Sequence, residues 1–228
     1  MKKRNLTLLS FAIIILILVF DQTVKFWVKT NMTIGEQIPL IGNWFQLYFI
    51  ENEGMAFGIS FGESIGKLLL TLFRIGIAGF LIYYVLKLIK NDKAELIVVI
   101  IFSLIIAGAL GNIFDCLFYG LFFNESTPFA AASLFPDGGG YGKFFLGRVV
   151  DMFYLRLFRM PEWVPFWGGS YFFPAIFNVA DACVTIGIAL MLIFNKKIFI
   201  EDKKKNPEKL SDNFPISLRI YSQVKFIF

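Results

Sequence analysis

The chain has 228 residues, of which 57% are hydrophobic and 29 are phenylalanine. This composition excludes an ordinary soluble domain and is typical of an integral membrane protein. Histidine is absent, which excludes histidine-dependent serine or cysteine nucleophiles and the HExxH type of zinc site. The net charge of +5 follows from lysines that flank the apolar runs, so no nucleic-acid partner is predicted.

Four apolar runs are long enough to span a bilayer, which takes about 20 residues. They are residues 6–28, 68–86, 96–114 and 172–194. The first run follows Lys2, Lys3 and Arg4 but lacks a small-residue cleavage site, so we expect an uncleaved span. The expected fold class is an all-α membrane protein with four transmembrane helices in one domain, residues 1–200.

The placement of lysine and arginine predicts the orientation in the membrane. Positive charge precedes the first run, lies between the second and third, and follows the fourth, whereas the first long connection is rich in glutamate. We therefore expect both termini in the cytoplasm and both long connections, residues 29–66 and 119–171, outside.

The two outside connections differ in pattern. Residues 43–50 alternate between polar and apolar side chains and lead to a glycine-bearing bend, which predicts a small extracytoplasmic β-rich segment between spans 1 and 2. Residues 147–167 are rich in Trp, Phe and Arg, so we expect an interfacial segment between spans 3 and 4. The basic tail, residues 201–228, has no predicted role.

Groups of polar residues interrupt three of the four spans at similar depth, near their outer ends, and span 2 carries Arg74, which could snorkel. In each span they share one helical face: Asp21, Gln22 and Lys25 in span 1, Gly108, Asn112 and Asp115 in span 3, and Asn178 and Asp181 in span 4. A snorkelling lysine or glycine-mediated packing explains some of them and leaves Asp115 unexplained. Because charges inside a membrane are costly, the pattern predicts a shared functional site.

Five motifs within this pattern resemble those of lipoprotein signal peptidase, also called signal peptidase II. They are DQTVK (21–25), NEGMAFG (52–58), GNIFD (111–115), VVDMF (149–153) and FNVAD (177–181), in the family's order across nearly the whole four-span core. The family is a membrane aspartic protease of the bacterial inner membrane. It removes signal peptides from prolipoproteins by cutting before the lipid-modified cysteine.

The resemblance implies a role for each matching residue. Asp151 and Asp181 would be the catalytic dyad. The supporting or substrate-binding residues would be Asp21, Gln22, Lys25, Asn52, Gly54, Asn112, Asp115 and Asn178. The implied partners are lipid-modified prolipoproteins and membrane lipid, with no cofactor or metal, and we expect a monomer.

The chain departs from the family pattern in two places. The GNxxD motif usually continues with arginine, whereas this chain has Cys116, so Arg148 and Arg74 are candidates to replace that arginine. The segment between Asp115 and Asp151 is expanded, with residues 120–147 as the expected insertion. Like Cys183, Cys116 lies in or beside an apolar run without ligand spacing and is expected to be a small buried hydrophobe.

Peptide hydrolysis without metal or histidine can use two nearby carboxyl groups that share one proton, one activating water and the other protonating the scissile carbonyl. The alternative is a proton- or cation-coupled transporter that uses the intramembrane acids. The repeated NxxD of GNIFD and FNVAD, on oppositely directed spans, fits an inverted repeat. A structural assembly factor is a third possibility, and it leaves the polar residues unexplained.

Overall fold

The structure is a computed structural model that describes residues 2–53, 63–166, 168–173 and 175–195. The elements, in chain order, are α1 (Lys3–Asn31), β1 (Gln37–Ile41), β2 (Phe45–Asn52), α2 (Glu63–Lys90), α3 (Leu96–Phe122), β3 (Val149–Leu155), β4 (Ile176–Phe177) and α4 (Val179–Ile193). The chain divides into two compact units. The helical unit comprises Met1–Val19, Met55–Gly111 and Ala180–Phe228, and the sheet unit comprises Phe20–Gly54 and Asn112–Val179.

Three of the described helices, α1, α2 and α3, are long and apolar enough to cross a membrane. Each contains one of the first three predicted spans and extends beyond it. The fourth prediction needs correction in its bounds, because α4 begins at Val179 and has 15 residues. At about 1.5 Å per residue it is about 22 Å long, less than the ~30 Å hydrocarbon core of a bilayer. The apolar residues before Asn178 include β4 instead of a first helical turn.

The helical unit is held together by aliphatic and aromatic side chains. Its core includes Leu81 and Val85 of α2, Phe102 and Ile105 of α3, and Met191 of α4. In α3, 72% of the most apolar 18-residue window is buried within the protein, so this helix is largely enclosed.

The sheet unit contains a four-stranded antiparallel sheet in the order β1-β2-β3-β4. The β-rich segment predicted between spans 1 and 2 is therefore present. Residues 43–50 lie largely in β2, which pairs with β1 through a turn at Gly42, whose φ is 50°. The all-α expectation needs correction, because Val149–Leu155, within the expected interfacial segment, is a strand that pairs with β2. Its β-branched and aromatic side chains favour a pleated, half-buried surface.

The expected insertion, residues 120–147, packs into the sheet unit. Its first residues continue α3 to Phe122. The backbone N–H of Ala132 donates to the Lys29 carbonyl at 3.0 Å, and that of Tyr141 donates to the Phe123 carbonyl at 2.8 Å. The side chains of Phe123 and Ala132 are buried in the same core as Val150. The segment is thus part of the unit that carries Asp151.

Candidate functional site

A buried lysine between two carboxylates connects α1 to α3 within the sheet unit. Lys25 Nζ lies 3.0 Å from Asp21 Oδ2 and 2.8 Å from Asp115 Oδ2. It also donates a 3.0 Å hydrogen bond to Asn112 Oδ1. All four side chains are at most 2% exposed, so Lys25 does not snorkel. The polar face of span 1 and the polar stripe of span 3 meet here.

Gln22 and Tyr119 extend this cluster. Gln22 Nε2 donates to Asp21 Oδ2 at 3.1 Å and to Asp115 Oδ1 at 2.9 Å. The Tyr119 hydroxyl donates to Gln22 Oε1 at 3.0 Å. Tyr119 lies one helical turn after Asp115 and is fully buried. The sequence reasoning missed it, and the i, i+4 spacing from Asp115 was the signal that could have found it.

Asn178 joins the cluster to the strand that carries Asp151. Its side-chain amide donates to Asn112 Oδ1 at 3.2 Å, to the Val150 carbonyl at 3.3 Å and to Asp151 Oδ1 at 2.7 Å. Asn178 directly precedes α4, and asparagine is preferred at the position before a helix. One residue thus marks the start of α4 and fixes a carboxylate of β3.

Asp151 also has a side-chain amide donor on the neighbouring strand. Asn52 Nδ2 lies 3.5 Å from Asp151 Oδ2, at the long limit of a hydrogen bond. In the β2–β3 register, Ile50 faces Asp151 and Asn52 faces Val149, so the Asn52 and Asp151 side chains project from the same face of the sheet. Asp151 is 3% exposed. Its two oxygens therefore have different amide donors.

The sheet is also anchored to Asp115 through its backbone. The N–H of Val150 donates to Asp115 Oδ2 at 3.3 Å. The same oxygen, Asp115 Oδ2, lies 2.8 Å from Lys25 Nζ. A continuous chain of polar contacts therefore runs from the Lys25 ammonium, through Asp115 and the backbone of β3, to the residue that precedes Asp151. This chain of contacts holds Asp151 to both helices.

Asp181 is the third residue of α4 and belongs to the helical unit. Its side chain is partly exposed, in contrast to Asp151. An acidic residue in the first turn, three positions after an asparagine cap, is typical of a helix N-terminus. Gly54, with the rest of the NEGMAFG motif after Glu53, lies outside the described residues.

Arg148 was one candidate to replace the arginine that is absent at Cys116. Its guanidinium group contacts Glu53 at 2.6 Å, Glu125 at 3.1 Å and Glu51 at 3.4 Å. Burial opposes its charge, but the hydrogen bond to Glu125 and the attraction of Glu53 raise the pKa of Arg148 above its ordinary value. Arg148 therefore remains charged among these three glutamate carboxylates. Cys116 is buried in α3, and Arg74 is buried in α2.

A sequence model of the family described as signal peptidase (SPase) II matches residues 13–196. The chain is 46% identical to a lipoprotein signal peptidase of Porphyromonas gingivalis over 209 residues, which cover 89% of this chain and 90% of that protein. It is 39% identical to a lipoprotein signal peptidase of Amoebophilus asiaticus over 189 residues, covering 80% and 75% of the two chains.

Two solved structures are also similar. A bacterial membrane enzyme determined by the in meso method at 2.3 Å resolution has a TM-score of 0.55 and 26% identity, covering 90% of this chain and 94% of that one. Another, determined at 1.9 Å, has a TM-score of 0.55 and 27% identity, covering 82% and 91%. Since the family match spans most of the sequence, the chain belongs to the signal peptidase II family.

Proposed function

We infer that this protein is an aspartic endopeptidase that removes signal peptides from prolipoproteins, with Asp151 and Asp181 as its catalytic pair. Membership of the signal peptidase II family supports the reaction class. The observation that carries the assignment of Asp151 is the chain of buried contacts that ends on its carboxylate through Asn178 and Asn52. The family match favours this function over the transporter alternative.

The chemistry follows from what two carboxyl groups can do without a metal. One carboxylate removes a proton from the attacking water, and the other carboxyl group donates a proton to the carbonyl oxygen of the scissile bond. The two roles exchange when the tetrahedral intermediate collapses and the amine leaves. Asn178 and Asn52 would keep the Asp151 carboxylate in a single orientation during both steps.

The buried cluster of Lys25, Asp21, Asp115 and Asn112 supports this site. The charge of Lys25 is balanced between Asp21 and Asp115, and Asn112 accepts hydrogen bonds from both Lys25 and Asn178. Because the ions are buried and each has several partners, a shift of any one of them is costly. The cluster would therefore hold α1, α3 and β3 at fixed positions around Asp151.

The substrate is proposed to be a prolipoprotein that carries a diacylglyceryl group on the cysteine after the cut. The polar residues lie towards the predicted outer ends of their spans, where a lipid-modified cysteine would rest while its signal helix crosses the membrane. Gly54 and the other supporting residues would contact substrate or catalytic groups there. Membrane lipid is the second proposed partner, and the enzyme acts as a monomer without cofactor or metal.

The proposed topology has four spans, both termini in the cytoplasm, and the site near the outer face of the bacterial inner membrane. The three long apolar helices and the basic residues at the cytoplasmic turns support it. α4, with its flanking apolar residues, would form the fourth span. Residues 1–200 would form one peptidase domain, and residues 201–228 a separate basic tail.

The proposed function is tested with the purified full-length protein in detergent containing phospholipid. It should release the signal peptide from a diacylglyceryl-modified prolipoprotein, as seen by a mass decrease equal to that peptide. The same precursor without the lipid should be processed much more slowly. Equal processing of both precursors would contradict the lipid requirement, and no processing of either would contradict the function.

A further inference from the structure

A second buried ion cluster lies in the sheet unit, and the reaction as described above does not use it. Lys29 of α1 pairs with Glu51 of β2. Lys29 Nζ also donates to Ser126 Oγ at 2.9 Å, and the Ser126 hydroxyl donates to Glu51 Oε1 at 2.7 Å. The Lys29 side chain is fully buried, the Glu51 side chain is 2% exposed, and Ser126 is buried.

Arg148 gives Glu51 a second cationic partner. Its guanidinium Nη1 lies 3.4 Å from Glu51 Oε2, so each carboxylate oxygen of Glu51 faces a different cation. The ring of Tyr141 lies 5.0 Å from Lys29 Nζ and 5.1 Å from the Arg148 guanidinium carbon. The Tyr141 hydroxyl accepts a 2.6 Å hydrogen bond from the Arg148 backbone N–H. We call Lys29, Glu51, Ser126 and Arg148 the Lys29 cluster.

The strand register places this cluster opposite the candidate site. Glu51 faces Val150, whereas its two neighbours in β2, Ile50 and Asn52, face Asp151 and Val149. Because successive side chains of a strand point to opposite faces of the sheet, Glu51 projects from the face opposite to Asn52 and Asp151. The same few residues of β2 and β3 are therefore held by polar contacts on both faces.

We propose that the Lys29 cluster fixes the position of the β2–β3 pair, so that Lys29 and Glu51 are positioning residues for hydrolysis at Asp151. This inference rests on the proposed catalytic role of Asp151. Glu51 projects from the face of the sheet opposite to Asp151, and Lys29 pairs with Glu51 there, so both act through the strands. Reactivity is sensitive to such positioning, since a displacement of about 1 Å can cost about 100-fold in rate.

The proposal also gives residues 120–147 a role in the reaction. Ser126 and Tyr141 both come from this segment, and they provide the hydroxyl and the ring that enclose Lys29. Without them the Lys29 ammonium would face Glu51 with fewer partners in a buried setting, which is unfavourable. The segment would thus complete a buried charge cluster behind the strand that carries Asp151.

The deciding variant replaces both buried charges, Lys29→Met with Glu51→Gln. Lys29→Met alone leaves the buried Glu51 with only the more distant Arg148 as a cation, and Glu51→Gln alone leaves the buried Lys29 without its carboxylate. Either single change can therefore prevent folding, whereas the double change removes both buried charges. The matched control is Lys3→Met with Asp92→Asn, which removes an exposed 2.6 Å ion pair in the helical unit. Ser126→Ala, which keeps both charges, is the third protein to be measured.

Each variant is assayed with the lipidated prolipoprotein, and its folding is checked by thermal unfolding. For the double variant we expect kcat to fall by about 10- to 100-fold while KM stays within about twofold. Ser126→Ala should lower kcat by a smaller factor and lower the unfolding temperature slightly, because a buried hydroxyl that bonds to both Lys29 and Glu51 is lost. The control should keep the parental kcat.

A folded double variant or a Ser126→Ala protein with the parental kcat would overturn the proposal, since a purely structural cluster changes stability without changing the turnover of folded enzyme. Asp151→Asn separates this result from a failure of the proposed function. If Asp151→Asn is inactive while the double variant is fully active, only the positioning role is wrong. If Asp151→Asn cleaves normally, the assignment of the catalytic pair is wrong.

Discussion

Lys25 shows how a charge is accommodated in a segment that is otherwise apolar. Its ammonium group has two carboxylates and an amide oxygen within 3.0 Å, and no part of its side chain is exposed. Such a group adds little net stability while its partners are present, because desolvation offsets the attraction. The energetic consequence becomes large only when one partner is removed.

Replacing Lys25 by methionine should therefore destabilise the protein by about 3–5 kcal/mol, because Asp21 and Asp115 would be left buried without a cation. The measurement is reversible unfolding in detergent, followed by circular dichroism. Lys3→Met is the control, since Lys3 pairs with an exposed aspartate and its loss should matter little. Equal stability losses in the two variants would contradict the role assigned to Lys25.

The residues of the two buried ion clusters differ in how well the sequence predicts them. Asp21, Lys25 and Asp115 stand out because a charge is rare within an apolar run. Tyr119 and Glu51 do not stand out, because the chain is rich in aromatic residues and Glu51 lies in a connection. Their burial depends on distant partners: Tyr119 bonds to a residue 97 positions away. No local pattern contains that information.

The buried hydroxyl of Tyr141 should make the stability of the protein depend on pH in the alkaline range. Burial raises the pKa of its hydroxyl above the ordinary value of about 10. The stability that the neutral Tyr141 hydroxyl contributes is therefore fully present below the pKa of tyrosine in the unfolded chain. It is lost as the pH rises through the folded pKa. Between pH 9 and 11, unfolding in detergent should show a steeper loss of stability for the parent than for Tyr141→Phe. Equal slopes would contradict this prediction.

At the scale of elements, the close packing of α3 and α4 depends on glycine. A Cβ atom at Gly108 would meet the Ala180 carbonyl oxygen and the Val184 side chain, and one at Gly187 would meet Ile105. The two helices can approach this closely only because these positions lack side chains. The glycine-packing interpretation of span 3 therefore applies to Gly108, whereas Asn112 and Asp115 belong to the polar cluster.

Gly108→Ala should lower stability by about 1–3 kcal/mol, because the added methyl group meets backbone that cannot move aside easily. Gly76→Ala in α2 is the matched control. A Cβ atom there meets nothing within 4 Å, and alanine is favoured over glycine in a helix by about 0.5–1 kcal/mol. Thermal unfolding of both variants checks this prediction, which fails if Gly108→Ala is as stable as Gly76→Ala.

The elements were predictable where one local pattern dominates. Long apolar runs predicted α1, α2 and α3, and the alternation in residues 43–50 predicted β2, whereas nothing in the pattern marked β1 or its turn. The strand β3 was missed because VVDMFYL lies in a segment rich in Trp, Phe and Arg, and its partner β2 is about a hundred residues away. The start of α4 was placed too early, since apolar composition alone does not distinguish β4 and the residues before it from a helical turn.

For the whole molecule, the order of five short motifs predicted the family, although each motif alone is weak. The assignment of Asp151 depended on that resemblance, because a single aspartate in an outside connection carries no distinctive pattern. The division into two units was not predicted. It separates residues of α1 and of α3 that lie in one continuous helix, so no change in composition marks the boundary.

The proposed topology can be checked with reporter fusions after residues 45, 92, 137 and 205. They should report outside, inside, outside and inside, because the lysine-rich turns are retained in the cytoplasm. Residue 92 lies in the turn between α2 and α3. A fusion there should report a cytoplasmic location and serves as the control for the outside signal expected at residue 45. An outside signal at residue 92 would contradict the model of four spans with both termini inside.

The central claim is that Asp151 and Asp181 form the catalytic pair, and the most direct test measures cleavage by Asp151→Asn and Asp181→Asn. Asparagine keeps the size of the side chain but cannot share a proton with the remaining carboxyl group. The substrate is a lipidated prolipoprotein, and folding of each purified variant is verified by thermal unfolding. Each single change should lower kcat by at least about 10⁴-fold, and the double change should cost little more. Substantial signal-peptide release by either well-folded variant would contradict the account.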